Sequence, residues 1–265
     1  MINKERLLKY EAYSDPFPVL EIKDFLEEED CRLATEELKN TKFDEFVRLN
    51  RSNIRKGSDS FDKLLEKNKV FKKLYNFFNN EEQYKILINE LEKVSSKSEY
   101  KFIMQNKPKK FLQHSFKHKR NIHDASFTKK LTNFLRKKIY DKLFNYYYFD
   151  IHFSLAKKGY AMKTHRDNDT RFLTFLLYFN TLENEDGGCF EIYKKDKDFD
   201  KNITHPENGS VSVIKKIRPE AGKLIVFLSN PLSYHNAEAI KNDVSRCFCY
   251  GSYTSNKNIN WIKSN

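Results

Sequence analysis

Two histidines and one aspartate in the C-terminal half of the chain have side chains that could hold a divalent metal. His165 and Asp167 are two residues apart at the end of an apolar segment, and His235 follows in a later one. Side chains two residues apart at a strand end can point the same way and share one ion. Two imidazoles and one carboxylate bind Fe(II) on one face and leave three coordination positions open. The sequence therefore predicts a metal site made of His165, Asp167 and His235.

Arg246 is a further candidate for a functional residue, because its surroundings are unusual for a cation. It begins a segment that is expected to be a strand, and it shares one face of that strand with Phe248 and Tyr250. A buried guanidinium requires an anionic partner. A dicarboxylate co-substrate would provide one, so Arg246 is predicted to bind a carboxylate.

The segments around these residues predict a sheet-rich C-terminal half. Eight strands are expected at about 149–156, 160–164, 172–179, 188–193, 211–217, 223–228, 233–236 and 245–254. A count of eight suits a double-stranded β-helix, which is a jelly-roll variant with two facing sheets. The polar stretch 194–209 is interpreted as an insertion loop, which could cover the mouth of the barrel or simply be solvated.

The N-terminal part predicts one strand and several helices. A strand is expected at 16–22, helices at 26–40 and 126–145, and amphipathic segments at 61–78 and 81–94. Segment 95–125 is basic and irregular. Its His114 and His118 have the spacing of a helical metal pair, but their Lys-rich setting favours a flexible loop. The fold class is therefore α+β, with region 1–145 supporting a barrel core at 146–265, and the two are expected to form one continuous unit.

The composition limits the partners of the protein. Hydrophobic residues make up 39% of the 265 residues and aromatic residues 15%, which is enough for a full core. The net charge of +12 could indicate a polyanionic partner or a Lys-rich composition with solvated side chains. Because the basic residues are scattered, the second interpretation is favoured and no specific nucleic acid is expected. The four cysteines form no Cys-x-x-Cys motif, and Cys247 and Cys249 are interpreted as core residues.

The N-terminus contains no apolar core typical of a signal peptide, and no segment is long and apolar enough for a membrane span. A soluble, cytoplasmic protein without a membrane partner is therefore expected. His152 alternates with Phe153 and is interpreted as a packed, hydrogen-bonded histidine. The oligomeric state has no signal in the sequence.

Several motifs together resemble the 2-oxoglutarate/Fe(II) oxygenases, specifically their prolyl-4-hydroxylase-like branch. They follow one another in the order seen in that family and cover residues 150 to 255. The matching segments are His165-x-Asp167, 175–180, 185–193, 221–227, 235–240 and Ser245-Arg246.

The resemblance implies Fe(II), the co-substrate 2-oxoglutarate and O2, with ascorbate as a further reductant. It implies that 2-oxoglutarate chelates the iron and that its far carboxylate meets Arg246. Arginine there is within the range of the family, although many prolyl 4-hydroxylases proper have lysine. Tyr178 matches a tyrosine that helps to bind this carboxylate in some relatives, and Thr174 lies on the same strand face. Both would otherwise be core residues of the barrel.

The resemblance also implies hydroxylation of a C–H bond with release of succinate and CO2. Asp167 favours hydroxylation over halogenation, because halogenating relatives lack this carboxylate. The first guess for the substrate is a prolyl or other amino-acid residue in a peptide or protein. The alternatives are a free small molecule, such as an amino acid or a sugar-linked metabolite, and a barrel that binds metal or ligand without turnover.

Overall fold

The computed structural model describes residues 2–264 except 3, 42, 44, 49, 114–137, 197–202 and 208. Fifteen strands and four complete α-helices are assigned in this described part, and residues 138–143 are also helical. The strands are β1 (Glu11–Tyr13), β2 (Val19–Ile22), β3 (Glu45–Arg48), β4 (Arg51–Arg55), β5 (Phe102–Met104), β6 (Lys110–Leu112), β7 (Tyr146–Ala156), β8 (Met162–His165), β9 (Arg171–Tyr178), β10 (Phe190–Lys195), β11 (Val211–Ile217), β12 (Leu224–Leu228), β13 (His235–Ala237), β14 (Arg246–Ser255) and β15 (Trp261–Lys263). The helices are α1 (Glu28–Asn40), α2 (Asp59–Lys67), α3 (Lys69–Phe78) and α4 (Glu81–Ser95).

The strands form two main sheets. The larger sheet has nine strands in the order β1-β2-β12-β9-β14-β7-β4-β3, with β6 paired to β7. The smaller sheet has the order β11-β10-β13-β8, and β15 pairs separately with β5. All pairs are antiparallel except β6 with β7. Strands β1 to β4, which precede residue 60, therefore extend both ends of the sheet that the C-terminal half forms.

The larger sheet has an apolar core on each side. On its outer face, helices contribute to one core, in which the ring of Phe78 stacks on that of Phe175 at 4.0 Å between centroids. On its inner face, Phe227 packs against Phe190 of the smaller sheet at 5.4 Å. The layers are therefore helices, larger sheet and smaller sheet. Gly251 leaves room for this packing, since a Cβ there would lie 2.2 Å from a ring atom of Phe175.

Most of the predicted elements are present. Each of the eight strands expected from residue 149 onward is found, with small differences at the ends. The sheet-rich α+β class is confirmed, and two facing sheets are consistent with a double-stranded β-helix. The division at residue 145 stays a prediction. The four cysteines are buried and free, which for Cys247 and Cys249 agrees with their interpretation as core residues.

Other predictions differ from the structure. The single helix expected at 61–78 is two helices, because the side chain of Asn68 accepts a hydrogen bond from the backbone N–H of Val70 and starts α3. The segment expected to be irregular from 95 contains β5 and β6, whereas His114, His118 and His123 lie outside the described residues. Most of the helix expected at 126–145 also lies outside the described residues, and of its described part residues 138–143 are helical. Within the described chain, no helix has the length and apolar character needed to cross a membrane.

Candidate active site

Strand pairing in the smaller sheet brings the predicted metal ligands together. His165 at the end of β8 lies directly opposite His235 at the start of β13. Opposite residues of an antiparallel pair project from the same face, and the two ring centroids are 4.5 Å apart. Asp167 follows β8 closely, and one ligand atom from each of the three residues lies within 4.8 Å of the others. The predicted trio is therefore assembled as a single potential metal site.

Backbone carbonyls orient both imidazoles for metal binding. Nδ1 of His165 is 2.9 Å from the carbonyl oxygen of Lys163, and Nδ1 of His235 is 2.8 Å from that of Ser233. Because a carbonyl oxygen only accepts, each Nδ1 carries the hydrogen and each Nε2 keeps its lone pair. Burial lowers the pKa of His235 to about 4 and also lowers the pKa of His165. Both rings are therefore neutral at pH 7, as metal binding requires.

The Asp167 carboxylate is held at both oxygens. Oδ1 accepts from Nη1 of Arg171 at 2.8 Å, and Oδ2 accepts from the hydroxyls of Thr174 at 2.7 Å and Ser229 at 3.3 Å. Burial alone would raise the pKa of this carboxyl, but Arg171 and the two site imidazoles together lower it well below its usual range. Asp167 is therefore ionised and fixed in orientation, and it can offset one charge of a divalent metal.

Two of the predicted ligands, His165 and His235, line a cavity of about 970 Å³, with its mouth included. One part of its wall is apolar and the other is strongly basic. The apolar and aromatic side chains are Tyr160, Met162, Leu176, Tyr178, Phe190, Phe227, Ala237, Phe248 and Tyr250. The basic side chains are Arg51, Arg55, Arg171 and Arg246, with His152 beside them.

Arg246 is buried in this cavity with an uncompensated charge. The residue is only 3% exposed, and its guanidinium carbon lies 4.8 Å from the ring centre of Phe248 and 5.3 Å from that of Tyr160. Nη1 donates to the carbonyl oxygen of Gly188, whereas Nε has no hydrogen-bond partner among the described residues. Burial lowers the pKa of Arg246, and its main electrostatic neighbours are two tyrosines and Arg51 rather than a carboxylate. The position therefore suits an external anion.

The two remaining predicted residues occupy different positions. Tyr178 lines the cavity and is 1% exposed. Burial raises the pKa of its hydroxyl, although the nearby positive charge of Arg246 lowers it in part. Thr174 is fully buried, does not line the cavity, and donates its hydroxyl to Asp167. Contact of either residue with the co-substrate stays a prediction.

Several cavity residues have no counterpart in the sequence-based predictions. Arg51, Asn53 and Arg55 come from β4, a polar strand whose sequence has no apolar pattern to reveal it. His152, interpreted as a packed histidine, lies 3.4 Å from the Asp150 carboxylate, as a hydrogen-bonded residue should, but it also lines the cavity. These residues could be assigned to the site only once the strand pairing was known.

The described part of the 194–209 loop lies beside the metal site. The carbonyl oxygen of Thr204 accepts from the backbone N–H of Arg166 at 2.8 Å, and that of Ile203 accepts from the hydroxyl of Tyr234 at 2.7 Å. The His205 ring centre is 6.1 Å from that of His165. This part of the loop therefore contacts the segments next to the predicted ligands, while residues 203–205 and 207 stay exposed and none of 203–207 lines the cavity.

Comparison with known proteins agrees with this chemistry. The family model of the 2OG-Fe(II) oxygenase superfamily matches residues 150–253, which contain the three predicted ligands and Arg246. The resemblance found in the sequence is thereby confirmed: the chain carries a 2OG-Fe(II) oxygenase domain. It is an enzyme of the dioxygenase class, and the superfamily that this domain matches uses Fe(II), 2-oxoglutarate and O2. A search of the curated proteins gave no match.

Solved structures of low sequence identity resemble the whole chain. A prolyl-4-hydroxylase from Pseudomonas putida has 15% identity and a TM-score of 0.45, with 90% of this chain and 93% of that chain covered. A collagen prolyl hydroxylase of Paramecium Bursaria Chlorella virus-1 has 15% identity and a TM-score of 0.44, with 91% and 97% covered. HygX from Streptomyces hygroscopicus, bound to nickel and 2-oxoglutarate, has 10% identity and a TM-score of 0.48, with 96% and 87% covered. At these values the likenesses carry no argument about the substrate.

Proposed function

We propose that the protein hydroxylates an unactivated C–H bond in a prolyl or other amino-acid residue of a peptide or protein, with release of succinate and CO2. One observation carries the proposal: His165 and His235 line the same cavity as the buried, uncompensated Arg246, and Asp167 completes the set with them, one ligand atom of each lying within 4.8 Å of the others. A barrel that only bound metal would have no chemical need for the fourth residue.

The donor set fits the two groups that the family uses. His165 and His235 would hold the iron through Nε2, and Asp167 through its carboxylate. Arg246 would hold the far carboxylate of 2-oxoglutarate in a charge-assisted pair, with Tyr178 beside it. When bound, iron and co-substrate supply the oxidising chemistry.

The rest of the site would position these ligands and exclude water. Arg171 and Thr174 fix the carboxylate that faces the metal. The aromatic wall formed by Phe190, Phe227 and Phe248 keeps that part of the cavity apolar, which strengthens each electrostatic contact inside it. The chain thus contributes orientation and a dry cavity.

The same proposal includes the finer description of the fold and the location. The two facing sheets would be those of a double-stranded β-helix, with region 1–145 supporting a core at 146–265. The four free, buried thiols favour a reducing compartment such as the cytoplasm. A free small molecule is the alternative substrate, and the basic wall of the cavity specifically favours one that carries a negative charge.

The test is the visible absorption spectrum of the metal-free protein under anaerobic conditions, on adding Fe(II) and then 2-oxoglutarate. We expect a charge-transfer band that needs both additions and is absent from the His235→Ala protein. His205→Ala is the matched control, because it removes a neighbouring imidazole and leaves the ligand set intact. Asp167→Ala should in turn abolish iron-dependent succinate formation. If folded wild-type protein shows no band, the non-catalytic barrel becomes the better interpretation.

A further inference from the structure

We infer that the cavity contains a second anion site, built around Arg51, and that the substrate presents a carboxylate or phosphate group to it. Arg51 lines the same cavity as His165 and His235, and its guanidinium contacts only neutral groups among the partners seen in the structure. The inference rests on the proposed function, which assigns Arg246 to the co-substrate, and it adds the charge of the substrate.

The guanidinium of Arg51 is held in place by neutral hydrogen bonds. Nε donates to Oδ1 of Asn53 at 2.8 Å, Nη1 to the hydroxyl of Tyr160 at 3.0 Å, and Nη2 to the hydroxyl of Ser154 at 3.1 Å. Ser154 donates in turn to the same oxygen of Asn53 at 2.7 Å, so these supports bind one another. A guanidinium has five N–H donors, and these bonds use three of them. The two others remain for a ligand, and the cation is already oriented to receive it.

Arg51 and Arg246 flank the same aromatic rings. The guanidinium carbon of Arg51 is 5.0 Å from the ring centre of Phe248 and 5.7 Å from that of Tyr160, and the corresponding distances of Arg246 are 4.8 and 5.3 Å. Two like charges in one cavity repel each other, and cation–π contacts offset only part of that cost. If the co-substrate neutralises Arg246, Arg51 still lacks a counter-charge.

The charge balance of the cavity leads to the same conclusion. Four arginines line it, whereas no carboxylate is among the described lining residues. Asp167 pairs with Arg171, and Asp150 lies close behind His152. These two carboxylates offset two of the four positive charges. A divalent metal and a dianionic co-substrate offset each other, so two positive charges remain. An anionic substrate is the remaining way to compensate them inside a partly apolar cavity.

The ligand chemistry is that of an oxyanion on an organic body. Arginine is suited to carboxylate and phosphate, because its planar fork matches two oxygens. The neighbouring wall, with Leu176, Met162 and Tyr250, would pack against the carbon skeleton of the substrate. The anion could come from an acidic or phosphorylated residue of a peptide, or from a free organic acid or phosphate ester.

The test uses protein loaded with Mn(II) and saturating 2-oxoglutarate, so that the Arg246 site is filled. Phenyl phosphate is the charged probe and benzyl alcohol the uncharged one, and calorimetry measures the binding of both. We expect wild-type protein to prefer phenyl phosphate, and Arg51→Met to weaken its binding by about tenfold or more. Arg51→Lys should restore part of the loss, and the exposed-site control Lys158→Met should cause none.

Three results would overturn the inference. One is equal binding of phenyl phosphate and benzyl alcohol by wild-type protein. This comparison needs no variant, so it tests the inference even if Arg51→Met fails to fold. Another is unchanged phenyl phosphate binding by folded Arg51→Met. The third is a loss of 2-oxoglutarate affinity in the Arg51 variants, which would assign Arg51 to the co-substrate. If wild-type protein instead shows no Fe(II)- and 2-oxoglutarate-dependent absorption band, the proposed function fails and the inference fails with it.

A second arm identifies the source of the anion. Succinate formation is measured with proline-containing peptides that differ only in a Glu or Gln next to the proline, and with small phosphate esters and organic acids. Stimulation by the Glu peptide alone supports a peptide substrate, and stimulation by the small anions alone supports a free metabolite. Either result supports the anion site, whereas equal stimulation by the Glu and Gln peptides with none by the small anions contradicts it.

Discussion

Replacing Thr174 by valine should weaken metal binding and leave the binding of 2-oxoglutarate unchanged. Valine keeps the shape of the fully buried side chain and removes its hydroxyl, which donates to Oδ2 of Asp167 at 2.7 Å. Among the described residues, the one other donor to this oxygen is the hydroxyl of Ser229, at a longer 3.3 Å. The carboxylate would then be held firmly at Oδ1 alone, by Arg171.

The size of the effect follows from the kind of bond that is lost. A hydrogen bond to an ionised group contributes about 1.5–3 kcal/mol. Residues that orient a metal ligand typically change metal affinity by about 10- to 100-fold when they are replaced. We therefore expect the dissociation constant for Mn(II) or Fe(II) to rise by about that factor. Once the metal site is saturated, the affinity for 2-oxoglutarate should stay within about twofold of the wild-type value, because Thr174 does not line the cavity.

The assay is equilibrium dialysis of metal-free protein against Mn(II), followed by titration of 2-oxoglutarate at saturating metal. Thr35→Val is the matched control, because its hydroxyl donates to a backbone carbonyl, that of Phe179, at 3.0 Å. A chemical denaturation curve for each variant separates metal affinity from overall stability. Normal metal affinity combined with weakened 2-oxoglutarate binding would refute this reasoning and would place Thr174 at the co-substrate instead.

Three further predictions test other parts of the molecule. Arg246→Met should raise the 2-oxoglutarate concentration needed for half-maximal succinate formation by at least about tenfold through loss of a charge-assisted pair; an unchanged requirement would remove Arg246 from the site. Burial lowers the pKa of Lys56 to about 8. Between about pH 8 and 10.5 the unfolded chain therefore binds more protons than the folded one, and the free energy of unfolding rises by about 3 kcal/mol as the pH increases. Lys56→Met should flatten that rise in denaturation curves, and equal slopes for both proteins would contradict the shift. Gly251→Ala should lower the free energy of unfolding by about 1–3 kcal/mol, because the new Cβ must displace the ring of Phe175; an unchanged denaturation midpoint would show that the ring moves freely.

The strands and metal ligands of the C-terminal half could be predicted because their signals are local. Apolar and aromatic runs mark the strands, and the His165-x-Asp167 spacing marks two ligands without knowledge of the fold. His165 and His235 face each other because of the register in which β8 pairs with β13. The sequence indicates this register only through the resemblance to a family. The three candidate ligands could therefore be named from the sequence, whereas their geometry could not.

The basic wall of the cavity could not be predicted, because its signal is not local. The residues of β4, Arg51-Ser52-Asn53-Ile54-Arg55, have neither apolar alternation nor strong strand propensity. This strand forms because β7 supplies hydrogen-bonding partners along its length. The contact of Arg171 with the hydroxyl of Tyr250 is hidden for a similar reason, because the two residues are 79 positions apart in the chain. Long-range pairing decides these positions.

The pairing of β8 with β13 has a consequence for the cohesion of the smaller sheet. The two strands have four and three residues, and β8 has no neighbour on its other side within the described chain. Such a short ladder specifies its own register weakly, and a slip by one residue would turn one imidazole away from the other. An ion can bind to both imidazoles only in the observed register. Binding of the ion therefore stabilises this register relative to the others by mass action. Iron bound by both histidines would therefore stabilise the edge of the smaller sheet. Protein deprived of iron would then loosen at this edge as well as lose its reactive centre.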